Sequence, residues 1–299
     1  MAYSITYSVG GTTYNLNGFD ATLGMNINYL GDQGFGLAPL HRITQRGPLQ
    51  QGDSDIDFRL DPRILQIPLY IDANSITDHY ASRARLLQIF TPSNVIGTLT
   101  ITTDTSVRAI DCYILGGMTM DVDASSGYGV KAVVQLRAPD PTWYDPTPVV
   151  LTLTPSIAGT AFAIPMAIPL TLGTSSINST TTVAYGGTWL SYPIITAVGP
   201  ITGLSITNNS TGQVISLGTV AIAAGTTYTF DLRYGYKTVK TDAGVNKISD
   251  VTAASNLATW SIVPAPTTTG GVNSITITSS SSASPGAVTL TYYTRYVGI

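Results

Sequence analysis

Not one glutamate occurs in the 299 residues, and all 17 acidic side chains are Asp. Glu is a good helix former because it loses little rotamer freedom in a helix, whereas Asp bonds to nearby backbone and favours caps and turns. Lys is confined to Lys131, Lys237, Lys240 and Lys247, while there are 44 Thr, 29 Gly and 17 Tyr. Branched and aromatic side chains pack well on a pleated surface, and Gly supplies turn conformations that other residues avoid. The chain is therefore constrained toward strands and tight turns. Its length, at about 100–200 residues per domain, points to two domains.

Charged residues make up 10% of the chain, against roughly 25% in an ordinary soluble domain. A weakly charged Ser/Thr surface suits a subunit that covers much of itself with neighbours. The other reading is a secreted or thermophilic β protein with Thr on its solvent face. Residues 1–150 carry 14 Asp against nine Lys and Arg, and residues 151–299 carry three against five, giving −5 and +2 within the total of −3. No basic patch that would condense onto phosphates is visible. Cys112 is the only cysteine, so no internal disulfide forms, and its apolar run from Ala109 to Leu115 makes it a buried small hydrophobe rather than a nucleophile. The opening Met1-Ala2-Tyr3-Ser4 reads as no secretory signal, and no run of 18 uncharged apolar residues appears.

Along the chain, residues 3–9 alternate and Gly10-Gly11 breaks the pattern before Thr12-Thr13-Tyr14-Asn15-Leu16, which predicts a hairpin. Over 17–58 strand signals are short, and 45–53 reads as an exposed loop. Residues 64–71 read as a strand that Pro68 assigns to an edge or a bulge. The pattern then changes. Asn74 or Ser75 can cap a helix with Asp78 in its first turn, Ile76, Tyr80, Ala84, Leu87 and roughly Phe90 follow at helical spacing, and Pro92 stops it. Strands return at 96–102, 107–115 and 130–137. Four prolines in the eleven residues 138–148 make a semi-rigid connection, in which Trp143 and Tyr144 are available to pack domains or a neighbouring subunit. Beyond it come an apolar segment at 158–172 and many short strands divided by turns. A last pair, 274–278 and 287–296, flanks a Ser-rich connection. Eight or more strands at this spacing predict an antiparallel two-sheet sandwich, most naturally a jelly roll.

Residues with chemistry are few. His41 and His79 lie 38 positions apart, outside any metal-ligand spacing. Asp53, Asp55 and Asp57 alternate along an extended segment, but a glycosidase needs two opposed acids with one held protonated, and this reads as a solvated or interface-facing loop near Arg59 and Arg63. Asp121, Asp123 and Gly127 only faintly resemble a calcium loop, because no Glu closes it. No nucleophile elbow, phosphate loop or dinucleotide fingerprint occurs. Trp189, Tyr192 and Trp260 could stack on a sugar, although aromatics in a sandwich are more often core. Catalytic, cofactor-binding and metal residues are thus all expected to be none, and no cofactor is implied.

The segment Trp143-Tyr144-Asp145-Pro146, the run from Gly187 through Trp189 and Tyr192 to Pro200, and then Ile206-Thr207-Asn208 with Thr211-Gly212-Gln213-Val214-Ile215, resemble the distal tail proteins of long-tailed, siphovirus-type bacteriophages. The helix at 75–90 and the Cys112 strand are similar to that family's first domain. The resemblance implies a mainly β chain: a ring-forming β-barrel of tail-tube type over 1–139 with one flanking helix, a Pro/Trp-rich linker over 140–149, and a galectin-like antiparallel β-sandwich over 150–299 that docks peripheral proteins. It further implies a homo-hexameric ring joining the tail tube protein to a tail hub or tail-associated protein and to side-fibre or receptor-binding proteins. DNA would pass through the channel without specific binding, and no membrane insertion is expected. The location implied is the tail tip of the virion, after assembly in the host cytoplasm. Residues 265–285 do not follow the family pattern, and no inserted lectin module is evident. A carbohydrate-binding adhesin is the alternative function.

Overall fold

Gly10 and Gly11 both take left-handed φ, 58° and 81°, the conformation that a tight two-residue hairpin turn demands. They set β1 (Ser4–Val9) against β2 (Thr12–Asn15) with Val9 opposite Thr12. This computed structural model describes residues 3–31, 33–122, 128–153, 178–282 and 287–299. The apolar 158–172 segment and the centre of the 116–129 connection, with Asp123 and Gly127, lie outside the described residues. The fold divides into two units: Met1–Pro146 together with Tyr296–Ile299, and Thr147–Arg295.

The first unit continues with β3 (Gly18–Asp20), β4 (Met25–Tyr29), β5 (Leu40–Gln45), β6 (Ser54–Leu60), β7 (Arg63–Ile71), α1 (Ile76–Ile89), β8 (Gly97–Thr102), β9 (Val107–Ile114), β10 (Thr119–Val122), β11 (Val130–Ala138) and β12 (Trp143–Tyr144). Eight of these strands follow one path, β2-β1-β8-β9-β11-β7-β4-β3. Its two ends meet through side chains: the Asn15 amide N–H donates to Asp20 Oδ2 at 2.6 Å, and Asn15 Nδ2 donates to the Phe19 carbonyl. The result is a nearly closed barrel, and its interior is packed. Ile5, Ile27, Leu65, Ile67, Leu69, Leu99, Ile110, Val134 and Leu136 are all buried in one core, supplied by the inward positions of alternating strands.

Pro68 is not at an edge. It lies in the middle of β7, between β11 and β4, opposite Val133. The lost donor is tolerated because this residue's backbone faces the margin of β4, where its carbonyl accepts from the Leu30 N–H at 3.0 Å. Trp143 is fully buried in the core of this unit, edge-on to Phe35 at 5.3 Å, and Tyr144 pairs with Ala109 and donates its hydroxyl to Asp111. These aromatic residues therefore belong to the first unit's own packing. The chain leaves that unit after Pro146, and Tyr296–Ile299 fall in it rather than in the sandwich.

Helix α1 is capped by Ser75, whose hydroxyl oxygen accepts from the Asp78 N–H at 3.1 Å and donates to the Asp78 carboxylate at 2.8 Å. It buries His79, Ser82, Leu86 and Ile89. Phe90, at its end, stacks on Tyr7 at 5.6 Å. Ile76, Tyr80, Ala84 and Leu87 are all exposed. Their spacing marks the helix but not the face it buries.

Cys112 is fully buried, and burial, aided by the Asp111 charge, pushes its thiol up to about 12 from an ordinary 9.0. A raised native pKa means stability that is complete below pH 9.0 and is lost as pH rises toward the folded value. Cys112→Ala should accordingly flatten the alkaline fall in the first unit's stability between pH 9 and 11. Denaturant midpoints at each pH check this, and a parallel fall in both proteins would disprove it.

The second unit comprises β13 (Val149–Leu153), β14 (Asn178–Ala184), β15 (Ile194–Val198), β16 (Ile201–Thr202), β17 (Ser205–Asn208), β18 (Gln213–Ser216), β19 (Ala221–Ile222), β20 (Thr227–Asp231), β21 (Thr238–Thr241), β22 (Val272–Thr278), β23 (Ser281–Ser282) and β24 (Ala287–Tyr292). Two antiparallel sheets, β13-β24-β15-β20-β21 and β14-β22-β17-β18, share one core that includes Ile195, Phe230, Leu290, Ile206, Ile275 and Trp260, as in a sandwich. The last two long strands do not pair with each other: β22 joins one sheet and β24 the other. A three-stranded patch, β19-β16-β23, completes the unit.

Candidate assembly surface

Strands β5 and β6 form a two-stranded sheet bonded to no other strand among the described residues. Every residue of β5 is exposed, and in β6 only Leu60 is not. An isolated hairpin is marginal in water, because it has neither a third strand nor a helix to cover a face. This one nevertheless shows Leu40, Ile43, Ile56 and Phe58 at 41–60% exposure and Leu37 at 82%. Its base is closed by the Asp61 N–H donating to the Pro39 carbonyl at 2.9 Å. Its tip is tied by Arg46 Nε to the Gln50 carbonyl, by the Gly47 N–H to Gln50 Oε1, and by Gln50 Nε2 to Ser54. At that tip Leu49 is fully exposed with a left-handed φ of 68°, which costs a non-glycine residue about 1–2 kcal/mol. The loop is thus ordered by its own bonds while displaying a leucine.

The three aspartates of the sequence pattern lie here. Asp55 pairs with Arg42 across the hairpin, and the Asp57 carboxylate accepts its neighbour's N–H, that of Phe58. Register shifts at Ile43 and Thr44, which face Asp57 and Asp55 and leave Ile56 as the extra residue. A bulge of this kind interrupts the two-residue period, so the three carboxylates do not stay in the simple alternation that the sequence suggests. All three are exposed. His41 is exposed on β5. His79 is buried under α1, with Nδ1 2.8 Å from the Tyr128 carbonyl, a core contact. Among the described residues no group of three or more His, Cys, Asp or Glu is placed to hold a metal. Nor is any helix among them long and apolar enough to cross a membrane.

The outward stripe of α1 is a second uncovered apolar surface of the same unit: Ile76, Tyr80 and Leu87 are 54–62% exposed. Arg83, Arg85 and Asp78 stand on this helix, while the hairpin carries Asp53, Asp55 and Asp57 with Arg42, Arg46 and Arg59. Contiguous exposed apolar side chains on a soluble unit mark interaction sites. Neither surface follows from sequence periodicity. A strand exposed on both faces has no reason to alternate, and an interface stripe has the same spacing as a core stripe.

Of the aromatic residues considered for sugar stacking, Trp260 is fully buried in the second unit's core, and Trp189 and Tyr192 are half-buried.

Neither a protein-family model nor a curated protein matches the sequence. Among solved structures the chain is similar to the crystal structure of the SPP1 Dit (gp 19.1) protein, described as a paradigm of the hub adsorption apparatus in Gram-positive infecting phages. That match covers 96% of this chain and 98% of that one, with a TM-score of 0.63 and 14% identity. It is similar more distantly to the phage P2 baseplate in its activated conformation, with Ca at TM-score 0.45 and 9% identity and with Sr at 0.43 and 10%, each over 98% of both chains. The chain has the fold of the SPP1 Dit protein along nearly its whole length.

Proposed function

We propose that this protein is a structural subunit of a phage tail tip: a hub ring that joins the tail tube to baseplate and receptor-binding components, and not an enzyme. The observation that carries the reading is the free β5–β6 hairpin, which leaves four apolar strand residues and a leucine tip uncovered in the single chain. The occupant we assign to it is a second copy of the chain. A closed ring repeats one heterologous contact between two different patches, and the first unit has two: the apolar hairpin and the apolar helix stripe. The fold shared with the SPP1 Dit protein supports the same reading. In it the barrel is of tail-tube type and forms a hexamer, the sandwich is galectin-like and carries peripheral tail proteins, and DNA passes the ring without specific binding. The virion tail tip is its location, reached by assembly in the host cytoplasm.

The test is the mass and symmetry of the purified full chain by light scattering and negative-stain imaging, alone and with tail tube protein. Sixfold rings with an open centre are expected. A monomer under both conditions would overturn the proposal.

A further inference from the structure

Between β20 and β21 the chain turns through Leu232–Lys237, and two tyrosines stand out from this turn: Tyr234 is 72% exposed and Tyr236 58%. The turn is anchored from below. Leu232 is buried, and its N–H donates to the Pro193 carbonyl. Arg233 donates twice to the Asp231 carboxylate, at 3.0 and 2.7 Å, and lays its guanidinium 4.4 Å over the Tyr236 ring. Tyr234 stands edge-on to Tyr192, with centroids 5.2 Å apart. Lys237, in a left-handed conformation with φ 45°, places Nζ 3.8 Å from the Tyr192 ring centre and 5.8 Å from that of Tyr234.

That ammonium is the unusual group. Its nitrogen is buried and has no hydrogen-bond acceptor, and the nearest carboxylate, Asp231, is already held by both oxygens to Arg233. Aromatic faces attract a cation, worth about 0.5–2 kcal/mol, but they leave its three donors unmet. Burial accordingly pushes Lys237 down to about 8. The corner therefore combines two exposed rings, each steadied by neighbours, with an ammonium that feels the Asp231 charge but has no hydrogen-bond acceptor of its own.

We propose that this corner of the second unit binds an acidic saccharide: Tyr234 and Tyr236 stack on sugar rings, and Lys237 receives the carboxylate. A protein partner is the weaker occupant. Protein interfaces ring their aromatic anchors with apolar contacts over about 800 Å² a side, whereas the turn exposes only its two tyrosines as large apolar side chains. Rings already fixed in place lose little freedom on binding, which favours a small ligand. Lys237 Nζ lies against Tyr192 and near Tyr234, at the base of the exposed rings, and its flexible four-carbon stem lets the ammonium turn out to the carboxylate of a sugar stacked on them, in a charge-assisted bond. The site is independent of ring formation.

The test titrates the full-length chain with trigalacturonate and with neutral maltotriose by calorimetry. Trigalacturonate is expected to bind at least about tenfold more tightly. Tyr234→Ala with Tyr236→Ala should abolish binding of both while the thermal midpoint holds, and the paired Phe variants should keep it. Lys237→Met should retain the weak neutral binding and erase the preference for acid. Wild-type binding of neither sugar at about 10 mM, equal binding of both, or binding unaffected by loss of the rings would each overturn the proposal.

Discussion

Replacing Ile56 and Phe58 together with serine is expected to leave the chain monomeric where the wild type forms rings, with no loss in the monomer's own thermal stability. Both side chains are largely in water in the single chain, at 60% and 44% exposure, so the folded monomer has little to lose by the change. Full burial of an exposed apolar side chain contributes about 1.5–3 kcal/mol. With about half of each already covered in the single chain, the pair accounts for roughly 1.5–3 kcal/mol per contact, about one to two powers of ten in affinity. Because a closed ring repeats that contact at every junction, the loss is multiplied around it. Light scattering at matched concentrations distinguishes the outcomes. A double variant that still forms the wild-type ring would exclude the hairpin as the joint and leave the α1 stripe to be tested through Tyr80→Ser and Leu87→Ser.

The second large effect concerns Arg63, which is 1% exposed and, among the described residues, has no carboxylate in ion-pair range. Its guanidinium donates to three backbone carbonyls, those of Gly34 at 2.8 Å, Gly36 at 2.9 Å and Val297 at 2.5 Å, and lies 5.9 Å from the Trp143 ring centre. Burial without an anion pushes it down to about 10, so the charge is held here at a cost. Arg63→Met removes that cost but takes the donor from three carbonyls, those of the exposed Gly34 and Gly36 and the half-buried Val297, each bond to a charged donor contributing about 1.5–3 kcal/mol and water recovering part of it. The lost bonds outweigh the relieved burial, for a net loss of about 1–3 kcal/mol. The first unit's midpoint should fall by about 3–10 °C. Hydrogen exchange gives a local readout: the Ile299 amide, bonded to the Phe35 carbonyl at 3.1 Å, should lose protection first. An unchanged midpoint together with a protected Ile299 amide would show that Arg63 does not hold these segments.

What the sequence shows of this fold follows from what each pattern physically encodes. Gly10-Gly11 demands left-handed backbone, and so the first hairpin was readable to the residue. Ser75 and Asp78 made the start of α1 readable in the same way. Patterns that encode burial were readable only where one face is buried. Strand β7, with inward Leu65, Ile67, Leu69 and Ile71, stood out. The β5–β6 hairpin did not, since Leu40, Ile43, Ile56 and Phe58 answer to water on both faces in the single chain. The helix stripe of Ile76, Tyr80 and Leu87 showed that a helix exists but pointed away from the face that His79 and Leu86 bury. Pairings that span the chain were the least legible. Nothing local to Ser281 and Ser282 shows that β22 and β24 part to opposite sheets. Nothing near Val297 shows that its carbonyl meets Arg63, 234 positions away. The candidate assembly surface thus came from the structure, whereas the expectation of no catalytic residues rested on a chain with no Glu and two His.

The return of Tyr296–Ile299 to the first unit has a consequence for the order in which the protein matures. Chains emerge from the ribosome at about 5–20 residues per second, N-terminal segments first, so the barrel strands are made early while the residues that Arg63 and Phe35 bind arrive only after all of Thr147–Arg295. In the interval Arg108 lacks the Tyr296 ring that it overlies at 3.6 Å, and Gly36 lacks Gly298, whose place beside it is too close for any side chain. The second unit is in effect an insertion near the end of the first, and completion of the barrel waits on its synthesis. A ring closed through the barrel would then be built from chains already synthesised through their second unit, which guards the assembly against incorporating truncated subunits.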